Sequence, residues 1–179
     1  MAHAVVGLGN PGEDYEATRH NVGHRVLDLL ASRLRRRWHR EGRTMMAHAT
    51  WRDEALDLIK PIAFMNVSGP VVAAALERLG ISPTDLILVY DDIDLPLGTV
   101  RVRMKGSHGG HRGVRSMIEA AGTSDIRRVK VGIGRPATKE QVSDHVLAPF
   151  EPEELPVVET AVADAADRVL ALLASPTAQ

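Results

Sequence analysis

Ala4-Val5-Val6-Gly7-Leu8-Gly9-Asn10-Pro11-Gly12 is the stretch that decides the fold. Its first half is a short β-branched run bounded by glycine, which predicts a buried strand over 4–8. Its second half matches G-x-G-x-x-G, the pattern of a dinucleotide loop. That loop needs a helix opening at the glycines, with amides aimed at a pyrophosphate. Here Pro11 lacks one amide, and Glu13, Asp14 and Glu16 bring negative charge where phosphate would sit. No acidic residue closes a second strand about 20 residues on. The glycines therefore read as a tight turn. Asn10 remains, a donor and acceptor at a strand's carboxyl end, where open α/β sheets place their ligands.

Outward from this strand, helices and strands alternate. Val22, Val26, Leu27, Leu30 and Leu34 predict a helix from about Asn21 to Arg37. Met45–Trp51 and Ala55–Lys60 read as a hairpin around Arg52-Asp53-Glu54. Ser68 as cap, Pro70 and Gly80 frame a helix. Leu86–Tyr90, Thr99–Met104 and Arg128–Ile133 read as strands, the second with one wet face. Gly113–Ala121 reads as a helix, and Pro156–Leu173 as an amphipathic one. The expected fold is α/β: a single domain over 1–179, a three-layer sandwich with a twisted mixed β-sheet flanked by helices.

The chain has 179 residues and no cysteine, which removes thiol nucleophiles, Cys-ligated zinc and disulfides. No apolar run reaches a membrane span and no signal peptide is evident, so the expected location is cytoplasmic, with no membrane partner. The net charge of −1 hides an asymmetry. Nine basic residues stand against two acidic ones between Gly98 and Arg135, whereas the segment from Ala148 onward carries six acidic and one basic. A basic middle suits a phosphate-bearing partner. With 3% aromatic residues, a stacking platform for many bases is not expected.

Four loops at strand ends carry polar residues. His20 lies near the start of a helix beside Asn10 and Asn21, where the dipole disfavours the imidazolium and suits a general base. Asp91, Asp92 and Asp94 offer three readings: a Mg²⁺ site, turn formers before Pro96, or a carboxylate that fixes a histidine tautomer. Phe64-Met65-Asn66 supplies another asparagine. Gly106–Gly113 holds His108 and His111 among glycines and reads as a mobile lid that includes Gly109, Gly110 and His111. With no serine in G-x-S-x-G and no cysteine, a histidine–aspartate pair points to an activated water.

Gly7-Leu8-Gly9-Asn10-Pro11-Gly12, Thr18-Arg19-His20-Asn21, Phe64-Met65-Asn66-x-Ser68-Gly69, Asp91-x-x-Asp94-Leu95-Pro96, His108-Gly109-Gly110-His111 and Gly132-Ile133-Gly134-Arg135-Pro136 occur in this order. Together they closely resemble the bacterial peptidyl-tRNA hydrolase family, from Val5 to about Phe150. The resemblance implies hydrolysis of the ester joining a peptide to the 3′ ribose of tRNA, without metal or other cofactor. It implies that His20 is the general base and Asp91 its carboxylate. It implies that Asn10, Tyr15, Phe64 and Asn66 contact substrate, and that Arg103 and Lys130 clamp a tRNA phosphate. The family usually has lysine at the first clamp position and arginine at the second. Many members carry asparagine where this chain has Arg112, which implies an altered contact with substrate rather than lost hydrolysis. The implied partner is tRNA bearing a peptide, met by a monomer that requires no protein partner. Two other readings compete: an RNA-binding module without turnover, and a Mg²⁺-dependent phosphohydrolase built on Asp91, Asp92 and Asp94.

Overall fold

The computed structural model describes residues 2–174. Strand β1 (Ala2–Gly7) is central and buried on both faces, with Val5 and Val6 turned to opposite sides. A 3₁₀ turn over Arg19–Asn21 leads into α1 (Val22–Arg33). Then come β2 (His39–Glu41), β3 (Thr44–Trp51), β4 (Glu54–Pro61) and α2 (Ser68–Leu79). β5 (Leu86–Asp92), β6 (Val100–Arg103), α3 (Arg112–Ala121), β7 (Arg127–Gly132), α4 (Val142–Val146) and α5 (Leu155–Ala174) complete the order.

The seven strands form one sheet in the order β2-β3-β4-β1-β5-β7-β6. β4, β1, β5 and β7 are mutually parallel; β2 and β3 on one margin and β6 on the other run antiparallel to their neighbours. One face is covered by α1 and α5, which bury Val26, Leu27, Val162 and Val169 against Val5, Leu58 and Val89. The other is covered by α2 and α3, which bury Val72, Leu76, Val114 and Met117 against Val6, Ile59 and Leu88. This is the expected α/β sandwich with a mixed sheet.

Several expectations need correction. The helix drawn to Arg37 stops at Arg33, because Arg35 adopts a left-handed conformation (φ 56°). The N–H of Arg36 then donates to the Ala31 carbonyl and that of Arg35 to Ser32, closing a Schellman motif without its usual glycine. Ser68 is not a cap; its hydroxyl donates back to the Met65 carbonyl at 2.9 Å. Gly7 and Gly9 are not turn formers either. A Cβ on Gly7 would lie 2.5 Å from the Gly23 carbonyl oxygen, and one on Gly9 would lie 2.7 Å from the His24 ring. The two glycines let α1 lie directly on the end of β1. Of the nine basic residues counted in the middle segment, Arg127 and Arg128 are buried. The end of the acidic segment that begins at Ala148, residues 175–179, lies outside the described residues.

Candidate active site

A cleft of about 860 Å³ opens at the carboxyl ends of β1, β4 and β5. The residues expected to catalyse, bind substrate or phosphate, or form the lid all border it: Asn10, Tyr15, His20, Phe64, Asn66, Asp91, Arg103, Gly109, Gly110, His111, Arg112 and Lys130.

At its floor Asp91, at the end of β5 and 2% exposed, binds two imidazoles. His20 Nδ1 lies 2.8 Å from Oδ2 and 3.0 Å from Oδ1, and His111 Nε2 lies 2.9 Å from Oδ1. The tautomers follow from the remaining contacts. His111 Nδ1 accepts the N–H groups of Gly113 and Val114, at 3.1 and 3.3 Å, as the N-cap of α3. Its proton is therefore on Nε2 and is donated to Asp91. His20 donates from Nδ1, which leaves its Nε2 with a lone pair and no hydrogen-bond partner among the described residues. Burial alone would raise the Asp91 carboxyl, but the two imidazoles outweigh it and hold the group below the usual carboxylate range. A buried carboxylate that stays ionised keeps both rings in place.

The structure places His111 not in a mobile lid but in the site, fixed at both nitrogens, while the preceding residues 103–110 are exposed. The three clustered carboxylates also separate. Asp92 accepts the Asp94 N–H and lies 3.5 Å from Lys130 Nζ, while Asp94 pairs with Arg135 at 2.7 Å. They do not converge on one point, as a Mg²⁺ site built from them requires.

Asn10 and Asn21 are clasped together. Asn21 Oδ1 accepts the Asn10 N–H and its Nδ2 donates to the Asn10 carbonyl, both at 2.9 Å. The Asn10 side chain uses Oδ1 to accept the Met65 N–H at 2.8 Å. Asn10 thus offers the cleft a donor through Nδ2, not both a donor and an acceptor. Asn66 is exposed. Tyr15 and Phe64 meet edge to face at the rim, with ring centroids 6.2 Å apart.

The family model described as peptidyl-tRNA hydrolase matches residues 4–179. This chain belongs to the peptidyl-tRNA hydrolase family. It is 47% identical to a peptidyl-tRNA hydrolase of Persephonella marina over 97% of this chain and 92% of that one. It is 50% identical to one of Aquifex aeolicus over 86% and 81%. Among solved structures, the peptidyl-tRNA hydrolase of Acinetobacter baumannii superposes with a TM-score of 0.89 at 30% identity, over 94% of this chain and 86% of that one. A plant 5′-methylthioadenosine nucleosidase, 10% identical with a TM-score of 0.59, shares the fold.

Three contributors to this peptidyl-tRNA hydrolase site escape a reading by motif. Arg128, counted as surface charge, is fully buried and donates to the carbonyls of Ser107 (2.7 Å), Ser124 (2.9 Å) and Ile126 (3.0 Å), and to that of Gly106. It anchors the root of the glycine-rich loop. Arg19 is buried too, donating to the His145 carbonyl and to Glu154, both at 3.0 Å, and so ties the His20 turn to the later chain. That later segment supplies a wall of the cleft through Lys139, Ser143, Val146 and Leu147. Its one sequence signal is the capping box from Thr138 to Gln141. The acidic helix α5 covers the sheet and contributes no residue to the lining of the cleft.

Proposed function

We propose that this chain hydrolyses the ester between a peptide and the 3′ ribose of tRNA, with a water activated by His20. The observation that carries the reading is the asymmetry of His20: Nδ1 is held by a buried carboxylate and Nε2 is free at the cleft. In this mechanism Nε2 takes a proton from water as the oxygen adds to the ester carbonyl carbon. The tetrahedral intermediate then collapses, the ribose oxygen leaves, and the imidazolium returns its proton to that oxygen. Asp91 keeps the ring in the reactive tautomer and offsets its transient charge.

Asn10 Nδ2 and the Asn66 amide are placed to bind peptide carbonyl and N–H groups, which ignores side chains and suits a variable peptide. Tyr15 and Phe64 form the rim against the substrate end. Arg103 and Lys130, on β6 and β7, bind a phosphate, with Lys130 leaving Asp92 to do so. Arg112 and Lys139 add positive charge to the same cleft. Gly109 and Gly110 give the lid over the substrate its freedom. The chain works in the cytoplasm as a single-domain monomer, needing no protein partner and no cofactor. No helix among the described residues is long and apolar enough to cross a membrane.

The test is a reaction with an N-acetylated aminoacyl-tRNA in excess chelator, followed by gel separation of charged and free tRNA. The expected result is full release of free tRNA. Binding without release would return the chain to the class of RNA-binding modules, and loss of release on chelation to a metal-dependent hydrolase.

A further inference from the structure

A second cluster of imidazoles and carboxylates lies far along the sheet, on its β2 margin. His39 and Glu41 alternate along β2 and so share a face. The register His39↔Met46 and His48↔Asp57 puts His48 of β3 and Asp57 of β4 on that same face. The side chains converge. His39 Nε2 and His48 Nε2 both reach Glu41 Oε2, the second at 2.5 Å, and the three ligand atoms all lie within 4.8 Å of one another. The imidazole rings are 5.2 Å apart. On its far side His48 Nδ1 is bound by Asp57, whose side chain is only 11% exposed.

We propose that His39, Glu41 and His48 form a site for one divalent cation of the Zn²⁺ class. His48 Nδ1 faces Asp57 and its Nε2 faces Glu41, so Nε2 is the atom that would meet the ion. A cation there joins two imidazoles and one carboxylate, a donor set of three with an open position for water. Ligands around a tetrahedral zinc stand about 3–3.5 Å apart, since each bond is ~2.0–2.2 Å. Asp57 supplies the carboxylate behind a ligating histidine that fixes its tautomer and raises its basicity. Two imidazoles select Zn²⁺, Ni²⁺ or Cu²⁺ over the oxygen-seeking Mg²⁺ and Ca²⁺. The ion would staple a three-residue edge strand to its neighbour and blunt an edge otherwise open to pairing.

Among the described residues, the cleft holds the other group of this composition, His20, Asp91 and His111. There His111 has its lone pair on Nδ1 filled by backbone N–H groups, so that ring offers no ligand. The two are separated by titrating the full chain with Zn²⁺ against a chromophoric chelator. The expected result is one equivalent bound, a thermal midpoint raised by Zn²⁺, and both effects kept in His20→Ala. His39→Gln/His48→Gln loses the equivalent and the midpoint shift. Asp57→Asn weakens binding by ~10- to 100-fold. Circular dichroism of the metal-free variants confirms that they fold, and Glu41→Gln gives a second, independent loss of affinity. No bound equivalent in the wild type, or unchanged binding in the double variant, overturns the proposal. Neither readout depends on ester hydrolysis.

Discussion

Asp91 with its two imidazoles, and Glu41 with its two, are built from the same groups and differ in what each nitrogen faces. In the cleft the carboxylate is buried, one ring is locked by backbone amides, and the other retains a free Nε2. On the sheet margin the rings are half exposed and His48 has a carboxylate at each nitrogen, which raises its basicity through the Asp57 hydrogen bond above all. A base needs an open lone pair facing its substrate; of the two imidazoles that Asp91 binds in the cleft, only His20 offers one. The lesson is that a histidine–carboxylate pair becomes catalytic through the contact it lacks as much as through the one it makes.

The same substitution in both places is the sharpest way to break that contrast. Asp91→Asn frees the His20 tautomer and should lower kcat by ~10²- to 10⁴-fold. Asp57→Asn should leave kcat unchanged. Steady-state hydrolysis of an N-acetylated aminoacyl-tRNA checks both, and equal losses would show that the cleft pair has no special role.

Burial also distinguishes two arginines. Arg128→Met strands the carbonyls of Gly106, Ser107 and Ser124, at about 1–3 kcal/mol of stability. It should also speed amide exchange over 105–110, which Arg103→Ala, at an exposed residue, should not do. Urea unfolding and exchange mass spectrometry report the two effects.

A fifth imidazole tests the burial argument without any carboxylate. His24 packs under Gly9, and burial first, then Lys60, push it down to about 3 from 6.5. In that window the unfolded chain binds a proton that the folded chain refuses, so stability falls as pH is lowered from about 6.5 towards 3. The expected decline is on the order of 2 kcal/mol by about pH 4.5. His24→Leu should flatten this limb in denaturant titrations at several pH values.

The smallest effect belongs to the basic flank. Arg103→Ala should weaken apparent tRNA affinity and reduce the slope of log affinity against log salt by ~0.7–0.9 for one lost phosphate contact. Arg112→Asn should change that slope as well if Arg112 reaches phosphate, and a fluorescence titration at three salt concentrations reads both.

Much of this organisation was legible in the sequence. The β-branched run before Asn10, the apolar spacing of α1 and the glycine ending α2 carry their own physical signals. The polar strand ends gathered correctly into one cleft because parallel strands deliver their carboxyl ends to one side of a sheet. What stayed hidden depends on partners distant in sequence. Arg35 ends α1 in a conformation that glycine usually signals. Gly7 and Gly9 answer to Gly23 and His24, not to a turn. Arg128 reads as surface charge until its four carbonyl partners are known. His111 looks like part of a glycine-rich loop because its two contacts, Asp91 and the first amides of α3, are made only in the fold.

The most direct test of the central claim is single-turnover hydrolysis of an N-acetylated aminoacyl-tRNA by His20→Ala at saturating enzyme. The expected result is a rate lowered by ~10²- to 10⁴-fold, with substrate affinity within about twofold of the wild type. A rate within about threefold of the wild type would contradict the role of His20 as the base that activates water.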